Sequence, residues 1–133
     1  MLKIEHLGIA VKNLNESISL FEQLLSTPCY KTESVASENV STAFFKTGDS
    51  KIELLEATDE NSPIAKFIAK KGEGIHHIAF EVENIEAEMR RLSALGFEIL
   101  NATPKDGADN KLVCFLHPKT TNGVLIELCQ EKR

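Results

Sequence analysis

Apolar residues follow two periods along this chain of 133 residues, one typical of strands and one typical of a helix. Residues 4–11 form a short apolar strand pattern that ends in a polar turn. A helix follows, which Asn13 is expected to cap. Its apolar residues recur three or four positions apart, at Leu14, Ile18, Phe21 and Leu25. Three more strands are predicted at residues 29–36, 40–46 and 52–55, so the first half has the order β-α-β-β-β.

The second half of the chain repeats this order. Residues 75–82 predict a strand, Asn84 caps the following helix, and Gly96 ends it. The buried stripe of this helix is predicted to consist of Ile85, Met89, Leu92 and Leu95. Further strands are predicted at residues 97–100, 112–116 and 124–128, with a polar loop at 104–110.

A short third helix is predicted between the two halves. Ser62 in the cap position and Pro63 in the first turn favour a helix start, and Gly72 favours a stop. We therefore expect one domain, residues 1–133, made of a first module (about 1–60), a connecting helix (about 62–72) and a second module (about 74–130).

The two modules are related by an internal duplication. The stretch that contains His6 recurs 71 positions later around His77, and the helix caps Asn13 and Asn84 have the same separation. The strand pattern around Glu53 recurs around Glu127. Each module therefore carries one histidine in its first strand and one glutamate in its last strand.

The duplication gives these four residues a function that none would suggest alone. A lone strand histidine is usually a hydrogen-bonded structural residue, and a lone strand glutamate usually faces solvent. A duplicated module, however, brings equivalent positions together around a pseudo-twofold axis, with the first and last strands facing the concave side. Two imidazoles and two carboxylates that converge there suit a divalent metal ion. The alternative is a relic of duplication without a working site.

Composition and charge exclude several other classes of function. The formal net charge of −5 opposes nucleic acid as a partner, because phosphate binding needs a basic surface. Apolar runs are too short to span a bilayer, so no membrane partner is expected. The three cysteines have no C-x-x-C spacing, and the N-terminus reads as a strand without a signal peptide. These features predict reduced thiols in a cytoplasmic protein.

Four stretches, together with the paired β-α-β-β-β pattern, resemble a known family. The chain is similar to the vicinal oxygen chelate superfamily (glyoxalase, bleomycin resistance proteins and extradiol dioxygenases) and, within it, to the methylmalonyl-CoA epimerases. This resemblance covers essentially the whole chain. It implies an α+β fold in which two tandem βαβββ modules form a curled, incomplete β-barrel around a metal site. The stretches are Asn61–Phe67, Gly72–Ala79, Phe115–Lys119 and Gly123–Leu128.

The resemblance also implies an activity and a set of ligands. The metal ligands would be His6, Glu53, His77 and Glu127, and the ion would be cobalt first, with zinc, nickel, manganese or magnesium as alternatives. The reaction would be the isomerisation of (R)- and (S)-methylmalonyl-CoA through a metal-stabilised enolate, as part of propionate metabolism. The expected partners are an acyl-CoA substrate and a second copy of the chain in a homodimer, with possible exchange of modules left open.

The acid/base groups are only partly assigned by the resemblance. Glu127 is the candidate that moves the Cα proton. Some bacterial epimerases carry a second glutamate in a strand where this chain has Thr42, which leaves Glu53, a metal-bound water or a single base as alternatives. Lys111 and Lys119 are candidates for coenzyme A phosphates or ordinary surface lysines. Two other functions stay open on the same fold: glyoxalase I (lactoylglutathione lyase), and a metal-free small-molecule binding or resistance protein.

Overall fold

The computed structural model describes residues 1–132 and confirms the α+β class. The chain has the predicted order of two βαβββ modules with a helix between them. Its three helices are α1 (Leu14–Leu25), α2 (Pro63–Lys71) and α3 (Ile85–Ala94). Its strands are β1 (Lys3–Ala10), β2 (Lys31–Val35), β3 (Val40–Thr47), β4 (Ser50–Ala57), β5 (Gly74–Glu81), β6 (Lys105–Gly107), β7 (Lys111–Leu116) and β8 (Ile126–Glu131).

The predicted helix starts are confirmed by their caps. The side chains of Asn13 and Asn84 each accept a hydrogen bond of 3.0 Å from the backbone amide three residues later. Ser62 Oγ caps α2 in the same manner by accepting from the Ile64 amide. Within residues 1–132, these helices are too short and too polar for any of them to cross a lipid bilayer.

Two predictions around the end of α3 were wrong. Leu95 is 66% exposed and lies at the C-cap of α3, outside the buried stripe. Residues 97–100 form only a single bridge, between Ile99 and Leu116, where a strand had been predicted. The side chain of Asn101 explains the difference, because its Oδ1 accepts a hydrogen bond of 2.9 Å from the Phe115 amide. A side chain thus replaces the next backbone hydrogen bond of the ladder, and the chain leaves the sheet.

The chain divides into two compact units whose boundaries fall inside β1 and β5. The first unit is His6–His76, and the second unit consists of Met1–Glu5 together with the chain from His77 onward. The opening residues are tied to the second unit by the Leu2 amide, which donates a hydrogen bond of 2.8 Å to the Glu81 carbonyl.

The first unit is a sheet in the order β2-β3-β4-β1 with a helix against each face. Strand β1 is parallel to β4, and the other neighbours are antiparallel. One face packs against α1, through a core of Val11, Leu14, Ala43, Phe45 and Leu54. Part of the opposite face packs against α2, through Ala10, Val40, Leu55 and Ile64.

The second unit repeats this arrangement in the order β5-β8-β7-β6. Strand β5 is parallel to β8, as β1 is to β4. Helix α3 covers one face of this sheet. The core it forms there consists of Val82, Ile85, Met89, Leu92, Cys114, Leu116 and Leu128.

Helix and sheet are joined by the same contact in both units. The first amide of α1 donates a hydrogen bond of 3.0 Å to the side chain of Glu56, and the first amide of α3 donates one of 2.8 Å to the side chain of Gln130. Each acceptor lies three residues after the glutamate that the duplication singles out, Glu53 or Glu127. The start of each helix is therefore fixed to the strand that carries that glutamate.

The packing of α3 predicts a clear difference between two leucines of the second unit. Leu128 is fully buried under α3, so Leu128→Ala should lower the free energy of unfolding by about 2–5 kcal/mol. The matched control Leu95→Ala should change it by less than about 0.5 kcal/mol, since that side chain is exposed. Urea unfolding followed by circular dichroism measures both, and equal losses would contradict the packing described above.

Candidate metal centre

The first unit brings His6 and Glu53 together through the register of two parallel strands. Gly8 on β1 stands opposite Glu53 on β4. His6 precedes Gly8 by two residues and therefore lies on the same face of the sheet. His6 Nδ1 is 3.1 Å from Glu53 Oε2. The two residues are only 4% and 5% exposed.

The second unit places His77 and Glu127 by the same register. Ala79, two residues after His77, stands opposite Glu127 in the parallel pair of β5 and β8. His77 Nε2 is 3.0 Å from Glu127 Oε1. These two residues are 6% and 7% exposed. The structure thus pairs each predicted histidine with the glutamate of its own module.

The geometry of each pair fits a metal site. Imidazole and carboxylate atoms bind divalent ions at ~2.0–2.2 Å, so two ligands at right angles on one ion stand ~3.0 Å apart. The separations of 3.1 Å and 3.0 Å match this spacing. The same separations also suit a hydrogen bond when the histidine nitrogen carries a proton. Because an unpaired buried charge is costly, each histidine and its glutamate depend on one another in either state.

An aromatic ring and a cation lie beside the second pair, and a buried thiol lies on the other face of the same sheet. The ring of Phe115 meets His77 edge-on, with centroids 6.0 Å apart, and the Lys105 ammonium lies 5.6 Å from the centroid of the same ring. Burial raises the pKa of the Cys114 thiol to about 11, and the negative charge of Glu127 adds to this effect. Cys114 lies in the core under α3, on the opposite face of the sheet from Glu127.

The remaining histidines have packing and turn contacts. The ring of His76 meets Phe67 of α2 edge-on at a centroid distance of 5.0 Å, in agreement with the alternation that points it away from the face of His77. His117 Nδ1 accepts a hydrogen bond of 3.0 Å from the Lys119 amide and so shapes the turn after β7.

The lysines suggested for coenzyme A differ from each other. Lys111 is 6% exposed, and its ammonium lies 3.3 Å from Glu131 Oε1. Lys119 is on the surface, where its ammonium is 2.8 Å from Glu98 Oε1. The sequence pattern also missed Glu5, which is buried beside His6 in β1. Alternation along a strand gave no signal for it, because neighbours of a buried residue are expected to face outward.

Comparison with known proteins agrees with the fold. The family model described as "Glyoxalase/Bleomycin resistance protein/Dioxygenase superfamily" matches residues 5–115. The chain is 37% identical to the uncharacterized protein YqjC of Bacillus subtilis, over 99% of this chain and 94% of that protein. It is 39% identical to the ethylmalonyl-CoA/methylmalonyl-CoA epimerase of Cereibacter sphaeroides, over 96% of this chain and 97% of that enzyme.

Solved structures give the same result. A variant of the Streptomyces coelicolor methylmalonyl-CoA epimerase in complex with 2-nitronate-propionyl-CoA superposes with a TM-score of 0.94 at 32% identity. The match covers 100% of this chain and 99% of that one. The predicted vicinal oxygen chelate fold is thereby confirmed. The chain belongs to the glyoxalase/bleomycin resistance protein/dioxygenase superfamily and, within it, to the family of the methylmalonyl-CoA epimerases.

Proposed function

We propose that this chain interconverts (R)- and (S)-methylmalonyl-CoA with the help of one divalent metal ion held by His6, Glu53, His77 and Glu127. The observation that supports this most strongly is the pair of buried histidine–glutamate contacts at the same register in both units. Both units would contribute two ligands, so residues 1–133 would act as one functional domain. The family resemblance further leads us to propose a cytoplasmic homodimer.

The donor set argues for a particular kind of ion. Two neutral imidazoles and two carboxylates balance the charge of a divalent cation without leaving a net charge in the buried site. Nitrogen donors favour cobalt, zinc, nickel or manganese over magnesium, which prefers oxygen ligands. We propose cobalt as the first choice. When bound, such an ion supplies Lewis acidity toward the carboxylate and thioester oxygens of the substrate.

Glu127 is proposed to move the proton. The Cα of methylmalonyl-CoA lies between a thioester carbonyl and a carboxylate, so loss of its proton leaves an electron pair that spreads onto the thioester oxygen. The carboxylate of Glu127 accepts that proton and can return it. Its burial beside Phe115, its partner across β7 and β8, keeps bulk water from this side chain. Dry surroundings strengthen the charge interactions on which the proton transfer depends.

Metal binding is the first test of this proposal. Calorimetric titration of the chelator-treated protein with Co²⁺ should give one ion per chain. His6→Gln and His77→Gln, from different units, should each weaken that single site by about 100-fold or more, because each removes a ligand. His117→Gln, which alters only a turn, should bind as the unchanged protein does. Two ions per chain, with each variant affecting only one of them, would contradict a shared site.

Deuterium exchange tests the reaction itself. With Co²⁺ in deuterated water, the protein should introduce deuterium at Cα of methylmalonyl-CoA and convert each epimer into the other, as seen by NMR and chiral analysis. Removal of the ion should abolish both. Absence of exchange and of conversion with every metal tried would refute the proposal. Turnover of the glutathione hemithioacetal would instead identify a glyoxalase I, and ligand binding without metal or turnover would identify a binding protein.

A further inference from the structure

The face of the first unit that carries His6 and Glu53, here called the histidine face, is only partly covered. Helix α1 packs on the opposite face, and α2 covers one end of the histidine face through Val40 and Leu55. His6 and Glu53 lie toward the other end of β1 and β4. The row of Leu55 is next to the row of Glu53, so it lies between the part covered by α2 and the proposed reaction site.

Thr42 stands in this row of Leu55. It is 1% exposed and lies on the histidine face, opposite Leu55 of β4. Two residues further along β3, Phe44 stands opposite Glu53. A threonine hydroxyl is far too weak an acid or base to exchange a proton with carbon at neutral pH. The chain consequently lacks a carboxylate at the position where some bacterial epimerases have one.

Glu33 supplies a carboxylate to the same row from the neighbouring strand. It is the direct partner of Thr42 across β2 and β3, so the two side chains share a face with Cβ atoms ~5 Å apart. Its strand alternates as this placement requires, since Lys31, Glu33 and Val35 are half-buried whereas Thr32 and Ser34 are exposed. The Glu33 side chain is 34% exposed and thus open to a ligand as well as to the protein.

A neighbouring cation contacts this carboxylate on the side of the Glu53 row. Glu33 Oε1 lies 3.4 Å from the Lys31 ammonium, which itself lies 4.9 Å from the centroid of the Phe44 ring. Lys31, Phe44 and Glu53 form one row across three strands. The ion pair therefore directs Glu33 along the histidine face toward the row of Glu53, and away from the end that α2 covers.

The next carboxylate along β4 is used elsewhere. Glu56 lies on the α1 side of the sheet, where it accepts the hydrogen bond from the first amide of α1. Glu53 belongs to the proposed ligand set. Glu33 has neither of these two tasks.

We propose that Glu33 is the second proton-transfer group of the epimerisation, in the role that Thr42 cannot fill. Inversion at Cα requires that a proton leave one face of the carbon and arrive on the other. Glu33 takes H⁺ from Cα of one epimer, and the C–H electron pair stays on the substrate as the enolate. Glu127, which carries a proton when this step begins, delivers it to the opposite face of the carbon and is left ionised. The reverse direction exchanges the two roles, so no oxidant or further reactant is needed. This inference rests on the proposed function.

The decisive experiment compares both epimers in deuterated water with cobalt-loaded Glu33→Gln. The epimer whose proton Glu33 removes should lose exchange by about 100-fold or more. The other epimer should still exchange its proton, through Glu127, but without inversion. Metal content and melting temperature should be unchanged. Glu38→Gln, which makes the same charge change in the connection between β2 and β3, is the matched control and should behave as the unchanged protein.

A second variant moves the carboxylate from position 33 to position 42. Thr42→Glu in the Glu33→Gln background restores a carboxylate in the same row, one strand away, and should recover part of the lost exchange. If burial of the new carboxylate prevents folding, Glu33→Asp decides in its place: it should retain more activity than Glu33→Gln, because it keeps a shorter carboxylate.

The outcomes separate this inference from the proposed function. Exchange of both epimers within threefold of the unchanged protein in Glu33→Gln would overturn the role of Glu33 alone. Equal loss for both epimers would also overturn it, because a residue that only positions the substrate affects both. Absence of exchange in the unchanged protein would overturn the proposed function, and the role of Glu33 with it.

Discussion

The parallel pairing of the first and last strands of each module is the constraint on which the candidate site depends. In both units the residue two positions after the histidine stands opposite the glutamate. This register sets the histidine–carboxylate contact at about 3 Å and buries both partners. A slip of one residue in either ladder would turn the glutamate toward the helix and away from the buried imidazole. The backbone hydrogen bonds of these parallel ladders therefore specify both the fold of each unit and the positions of its histidine and glutamate.

This coupling has an energetic side. Loss of one member of a buried charged or hydrogen-bonded pair commonly costs about 3–5 kcal/mol, because the remaining member loses the compensation that its partner gave. Each pair is therefore part of its unit's core as well as a candidate for metal binding. A bound ion would add to stability by mass action, since the unfolded chain lacks the assembled site. Measurements of activity in ligand variants consequently need a measurement of stability beside them.

Much of the fold could be predicted from the sequence because its signals are local. Asparagine caps, helical periods and the repeated strand patterns each act within a few residues, and they located all three helices and most strands. The failures arose where a distant partner decided the outcome. Residues 97–100 leave the sheet because the side chain of Asn101 takes the Phe115 amide, and Lys111 is buried because Glu131 lies beside it. Neither contact follows from the local pattern.

The candidate site divides in the same way. The duplication pointed to His6, Glu53, His77 and Glu127, because equivalent residues in two copies stand out without any knowledge of the fold. Glu33 carried no such signal. It has no counterpart of obvious function in the second module, and only the register of β2 against β3 places it beside Thr42. A residue whose role depends on its neighbour in the next strand can be recognised only when the strand pairing is known.

The position of the unit boundaries has a consequence for how such a protein could have arisen. The first five residues belong to the second unit, to which the Leu2 amide is tied through the Glu81 carbonyl. If an ancestral chain were cut between His76 and His77, its first fragment would carry the strand start that the second fragment needs. The second fragment would have to associate with the first one to complete its own sheet. Gene fusion would then have joined the two fragments in one chain, so that their association would no longer depend on protein concentration.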